Sequence, residues 1–255
     1  MDRTLKLSFF TRYQKILLFA LSATIITIIW EFIGQMGLLN PIFFAWPSTI
    51  LDSLYSIFTA PDFSRHLSVT MFEMIVGYSS AIMVAIPIGI LMGRVKFIEN
   101  LLDPYISALN SIPRIALMPL IILIFGIGLS SKMFLVFLGS FFPILINTFN
   151  GVKNIDPLMV DMAKSFGAKR FALTNKVLIP STMPYLLAGL RIGLSIAFIM
   201  VIVGEFFAST HGVGYMIAFE AARYNTSGVL AWVLIVSGMT ILFTEMIRYF
   251  ERKKW

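Results

Sequence analysis

Residues 151–184 read GVKNIDPLMVDMAKSFGAKRFALTNKVLIPSTMP, a polar stretch set between two apolar runs, 132–149 and 185–208. Each flanking run approaches the roughly 20 apolar residues that a membrane-crossing helix needs, whereas the stretch between them is too polar to lie in hydrocarbon. Pro157 suits the first turn of a helix, where a backbone N–H would have no intrahelical partner. Leu158, Met162 and Phe166 recur at helical spacing, and the apolar residues from Ala168 to Val177 predict a second short helix. Gly167 fits the break between the two, and Pro180 and Pro184 are expected to end the second helix before the next span. The reading is a loop, residues 150–183, of short helices fixed between two spans.

The rest of the chain fits that setting. Of 255 residues, 58% are hydrophobic and 13% charged, and the mean hydropathy is +0.87. A soluble domain carries about 25% charge to stay in water, so much of this exterior faces lipid. Six segments predict spans: 16–33, 69–93, 105–126, 132–149, 185–208 and 230–250. The expected fold is all-α, a single transmembrane domain over residues 1–255. Arg3, Lys6, Arg12 and Lys15 precede the first run as in a secretory leader, but that run continues through Trp30, so it reads as an uncleaved span. The absence of cysteine excludes disulfides and thiol chemistry. With only His66 and His211 besides, no metal site is expected.

Lys and Arg give the orientation. Six spans put both termini on one side, with Arg3, Lys6, Arg12, Lys15, Arg94, Lys96, Lys153, Lys164, Lys169, Arg170, Lys176, Arg248, Arg252, Lys253 and Lys254. Arg65, Lys132 and Arg223 fall on the other, where His66 and His211 read as surface residues. Cytoplasmic loops are the basic ones, so both termini and the 150–183 loop are expected in the cytoplasm. The net charge of +7 is spread between spans as topology signals are and points to no nucleic acid. On the opposite side, Pro47-Ser48-Thr49 predicts a helix start, and residues 209–228 carry Gly212, Gly214 and the turn Asn225-Thr226-Ser227-Gly228. Pro87, Pro113, Pro119 and Pro143 fall within spans and predict kinks.

The loop resembles a signature of bacterial ABC importer permeases: Glu-Ala-Ala, three residues, Gly, nine residues, then Ile-x-Leu-Pro. Here Asp161-Met162-Ala163 is followed after three residues by Gly167, and nine residues later by Val177-Leu178-Ile179-Pro180. Asp161 stands for Glu, and Met162 departs from Ala. The resemblance implies that 157–176 forms coupling helices docking on a separate ATPase subunit, with Asp161, Ala163, Lys164, Gly167, Ala168 and Pro180 in the coupling element. It extends to DPYISALNSIPRIALMPLIILIFGIG at 103–128, to Leu190-Arg191-Ile192-Gly193, and to Glu205 with Gly212-Val213-Gly214-Tyr215. These look like the subgroup importing nitrate, sulfonates, taurine or thiamine pyrimidine precursors. The implied fold is that of a type I importer permease. The implied setting is the bacterial inner membrane, as a homodimer served by an extracytoplasmic solute-binding protein.

No Gly-x-x-x-x-Gly-Lys-Ser/Thr loop exists in the chain. It therefore reads as a transport subunit with no catalytic residue and no cofactor of its own, ATP being held by the partner. Glu73, Arg114, Arg191 and Glu205 fall in or beside spans, where charge is costly, and are candidates for a pathway or gate. Two departures bear on the solute. Glu73 stands where the subgroup often has a basic residue, and Asn110-Ser111 stands where it often has Arg-Pro, with Arg114 just after Pro113. A positive charge lost and a negative one gained weaken the case for an anion. The alternative of an ion-gradient-driven transporter or channel predicts inverted repeats, and the sequence shows none.

Overall fold

The computed structural model describes residues 2–37 and 39–254, and their side chains apart from those of 2–13, 15, 16, 170, 171, 174, 175, 250 and 252–254. Of the cations used for orientation, those at 3, 6, 12, 15, 170 and 252–254 thus have side chains outside the described residues. The chain divides into two compact units, residues 1–63 with 217–233 and residues 64–216 with 234–255.

In the first unit, α1 (Asp2–Gln35) carries the first apolar span, Leu17–Gln35. Beside it lies α2 (Pro47–Thr59), with Pro47 in the first turn as expected. Glu31 of α1 accepts hydrogen bonds from Ser48 N (2.9 Å) and Ser48 Oγ (2.7 Å). A carboxylate there meets both the unpaired N–H groups and the positive end of the α2 dipole. Trp30 Nε1 donates to Ala45 O at 2.9 Å, and Ala45 packs with Ile50 and Ala231.

The second unit is built on α3 (Phe63–Arg94), α6 (Leu129–Lys153) and α9 (Ile179–Ala208). Gly77, Ala81, Ala85, Gly89 and Gly93 recur every fourth residue of α3, so they share one face. A Cβ at Gly77 would meet Met133 O and Val136. At Gly89 it would meet Leu145 O and Thr148, and at Gly93 it would meet Val152. This seam runs along α6. On the other side of α6, Gly189 and Gly193 of α9 pack on Pro143 O, Asn147, Ile144 and Ser140 O. Ser140 Oγ donates to Gly193 O at 3.1 Å. Lipid supplies no hydrophobic drive between helices, so close backbone approach through small residues is what holds such a bundle.

Among the described residues, five helices are long and apolar enough to cross a membrane: Leu17–Gln35, Phe63–Arg94, Leu129–Lys153, Lys176–Ala208 and Thr226–Tyr249. The third expected span departs from a single helix. It consists of α4 (Lys96–Asn110), a 3-10 turn (Arg114–Leu117) and α5 (Met118–Phe125), bent by 84°. Pro113 is the cause: it has no N–H, it disfavours helix at the residue before it, and its ψ of 99° is extended.

The expected helix end at Pro180 and Pro184 is also corrected. After α7 (Pro157–Ser165), α8 (Arg170–Leu173) passes through a π turn (Thr174–Leu178) directly into α9. Pro180 lies in the first turn of α9, where proline is tolerated, and Pro184 lies inside it. The segment 209–228, which carries Gly212, Gly214 and the turn at Asn225, holds α10 (Val213–Ala222) before α11 (Thr226–Lys254).

Candidate functional site

The membrane-embedded charges do not form one cluster. Glu73 of α3 and Lys132 of α6 make an ion pair with side chains 0% and 3% exposed. Beyond it, neither Glu73 oxygen takes a hydrogen bond from a described residue. Lys132 Nζ also donates to Ser209 Oγ at 3.0 Å. By sequence Lys132 reads as a topology marker; only its proximity to an acidic span residue in the fold reveals its role, and that proximity is not in the sequence.

Glu205, at the end of α9 and 1% exposed, is tied to the turn that follows. Its Oε2 accepts from Gly214 N (2.6 Å), and its Oε1 accepts from Thr70 Oγ1 (2.6 Å). Val213 N donates to Thr70 Oγ1 (2.8 Å), and Gly212 N donates to His66 Nδ1 (3.1 Å). Carboxylate, hydroxyl and imidazole thus meet the first N–H groups of α10, which no intrahelical acceptor reaches. A Cβ at Gly212 or Gly214 would collide with the Glu205 carboxylate, and Gly212 has φ +121°. That accounts for Gly-Val-Gly seven residues after Glu205. His66 is buried, its ring stacked 5.8 Å from that of His211 and 6.2 Å from that of Tyr215; the expectation of a surface histidine is corrected for His66.

Arg191 lies apart from this network. Its Nη1 is 3.3 Å from Glu251 Oε2, joining α9 to the end of α11. Arg114 lies apart from both, at the α4–α5 bend, with its guanidinium carbon 5.0 Å from the centre of the Phe142 ring. A further pairing that sequence reasoning missed is Glu99, which holds Lys96 (3.2 Å) and Lys153 (2.5 Å) and so ties the start of α4 to the end of α6.

The third place is the polar loop. Asp156 Oδ1 accepts from Leu158 N at 2.9 Å and caps α7. Asp161 and Lys164 pair on its surface at 3.3 Å. The helix ends at Gly167, whose φ of +78° only glycine adopts without strain. Gly167 N donates to Lys164 O (2.8 Å) and Ala168 N to Ala163 O (3.0 Å), which places Ala163, Lys164, Gly167 and Ala168 in one closed turn. Leu158, Met159, Met162 and Phe166 are exposed, Phe166 at 88%. Below them, a groove of about 620 Å³ is bounded by Met159, Met162, Lys176, Val177, Pro180 and Pro184.

Residues 85–255 match the family of binding-protein-dependent transport system inner membrane components. The putative aliphatic sulfonates transport permease protein SsuC of Bacillus subtilis (strain 168) is 34% identical over 91% of this chain and 84% of its own length. The formylaminopyrimidine transport permease protein ThiX of Halalkalibacterium halodurans is 32% identical over 88% of this chain and 89% of its own. The fold is shared with a chain of the MetNI methionine ABC transporter in an inward-facing conformation, at TM-score 0.66 and 18% identity, over 74% of this chain and 94% of that one. The chain belongs to the binding-protein-dependent inner membrane component family: it is a multi-pass membrane protein with the type I importer fold and a permease of ABC transport.

Proposed function

We propose that this permease, as one transmembrane domain of residues 1–255, carries a small solute across the bacterial inner membrane without an ATPase site of its own. ATP is bound and hydrolysed on a separate subunit, which docks on residues 157–176. The observation that carries this reading is the apolar face of α7. Leu158, Met159, Met162 and Phe166 stand exposed on a helix that lies outside the long apolar spans and is flanked by Lys164 and Lys169. Exposed apolar side chains on one short, capped helix are what a protein partner buries.

The helix is also tied to the transport core. α8 runs through the π turn without a break into α9, and α7 joins α8 through the closed turn at Gly167, so a push on α7 has a short, ordered route to α9. The basic residues of the loop, 150–183, and of both ends support a cytoplasmic position for all three. Two copies of the chain in the lipid bilayer would frame the path between them, as family membership and span number suggest. A solute-binding protein would deliver cargo on the opposite side, near 40–66 and 209–228. Relatives named for a sulfonate and for a pyrimidine are about equally similar to this chain, so the reading covers sulfonate-like, nitrate-like, taurine-like and thiamine-precursor solutes.

Gly167→Trp in the whole transporter tests the coupling role. Loss of ATPase co-purification and of solute uptake is the expected result. Assembly and uptake both at the unmodified level would sink it.

A further inference from the structure

Arg114 is a charge that the rest of the unit leaves unanswered. Glu73 is answered by Lys132, Glu205 by Thr70 and the Gly214 N–H, and Arg191 by Glu251. Among the described residues, no carboxylate pairs with Arg114. Its depth follows from its neighbour: Phe142 is the fourteenth of the 25 residues of α6. The guanidinium therefore lies level with the middle of a membrane-crossing helix. An arginine at that depth is costly unless water or a partner meets it.

A structural role accounts for only part of the guanidinium. One terminal nitrogen donates to Asn110 O (3.2 Å) and to Asn110 Oδ1, which caps the end of α4. Five N–H donors are available on an arginine, and this cap engages one nitrogen's share. The Nε–H is buried and has no acceptor among the described residues. Arg114 also does not stand alone. Ser107, Asn110 and Ser111 share one face at the end of α4, with Asp103 one turn earlier, and Arg114 is tied to that face across the bend through Asn110. Asp103, Ser107, Asn110 and Ser111 are all exposed. Lipid tails offer such groups nothing, so at membrane depth a polar stripe on a broken span lines a wet cavity.

We infer that the stripe 107–114 faces the solute path and that Arg114 binds an anionic group of the solute there, a sulfonate or carboxylate. This rests on the permease reading above. The sequence departures that weaken the case for an anion lose their force. The negative charge of Glu73 is cancelled by Lys132, and a positive charge stands on the other side of Pro113 rather than being absent.

The cysteine-free chain allows a direct test. Ser111→Cys introduces one thiol in the chain, three residues from Arg114. Membrane vesicles holding the whole transporter are treated with sulfonatoethyl or trimethylammonioethyl methanethiosulfonate. The thiolate displaces methanesulfinate from either reagent to form a mixed disulfide, and it reacts only where water reaches it. The expected result is labelling that favours the anionic reagent, relative to a free thiol in solution. Arg114→Gln lowers that preference by about fivefold or more, the effect of one charge some 7 Å away in a wet site. Arg114→Lys keeps it, which loss of packing alone would not produce. Failure of either reagent to label Ser111→Cys overturns the proposal, as does a preference that is the same in Arg114→Gln. Co-purification of the ATPase subunit is measured alongside. Its absence sinks the permease reading itself, whereas intact co-purification with charge-blind labelling sinks only the anion site.

Discussion

Gly212 and Gly167 have the same backbone problem and opposite surroundings. Both sit at positive φ, +121° and +78°. A side chain at Gly212 would strike the Glu205 carboxylate, whereas one at Gly167 would meet nothing within 4 Å. The first turn closes on its own chain: Gly212, Val213 and Gly214 each donate an N–H to a side chain of α3 or α9. The second satisfies its backbone locally and leaves Leu158, Met162 and Phe166 in the open. Polar groups that the chain answers internally hold the fold, and apolar groups it leaves uncovered mark where another chain belongs. Stability and function should therefore separate between the two turns.

The largest stability effect is expected at Lys132. Lys132→Met removes the cation that pairs with Glu73 among the described residues and leaves that carboxylate buried beside Glu205, a loss of about 3–5 kcal/mol. The double variant Glu73→Gln with Lys132→Met removes both charges and should recover most of that loss, because a buried pair rarely outperforms neutral packing. Thermal unfolding of the detergent-solubilised protein measures both. A single variant as stable as the unmodified protein would show that the pair is not closed as described.

Gly212→Val comes next. Strain from the left-handed backbone and collision with Glu205 together cost about 3 kcal/mol. Gly167→Val bears the backbone strain alone, about 1–2 kcal/mol. Equal shifts in the unfolding midpoint for the two would remove the contrast between the turns.

The sequence carried the signal for one of these turns and not for the other, for a physical reason. The 157–176 loop is local: its cap, apolar spacing and glycine break all lie within 20 residues, where periodicity and turn chemistry operate. The Glu205 network and the Glu73–Lys132 pair join α3, α6, α9 and α10, drawn from positions 66 to 214, and only packing brings them together. Lys132 therefore read as a boundary cation and His66 as a surface residue. The spans were legible because lipid demands length and apolarity. The third span was legible as apolar but not as bent: Pro113 signals a kink, and its angle is set by what packs on either side. Pro180 misled because proline in the first turn of a helix and proline that ends one look alike in sequence, and Pro184 because a helix interior can also carry a proline.

Arg191→Ala should cost only about 0.5 kcal/mol, since both partners of its pair with Glu251 are partly exposed and screened. It tests whether the end of α11 is held by charge or by apolar packing. A fall in midpoint equal to that of Lys132→Met would mean the first.

Phe166→Ser gives the smallest stability change and the sharpest separation. Phe166 is 88% exposed, so its removal leaves no cavity, and its effect on unfolding should stay within about 0.5 kcal/mol. If α7 is a docking surface, the same side chain is a candidate anchor, and losing it should weaken ATPase co-purification by about tenfold or more. It leaves the backbone at Gly167 untouched, so a loss of assembly could not be assigned to a broken turn. A variant that is both fully stable and fully assembled would instead assign the face of α7 to lipid, where Lys164 and Lys169 would meet anionic headgroups. The comparison of the two turns would then stand as a contrast in stability alone, with the site of coupling sought elsewhere on the chain.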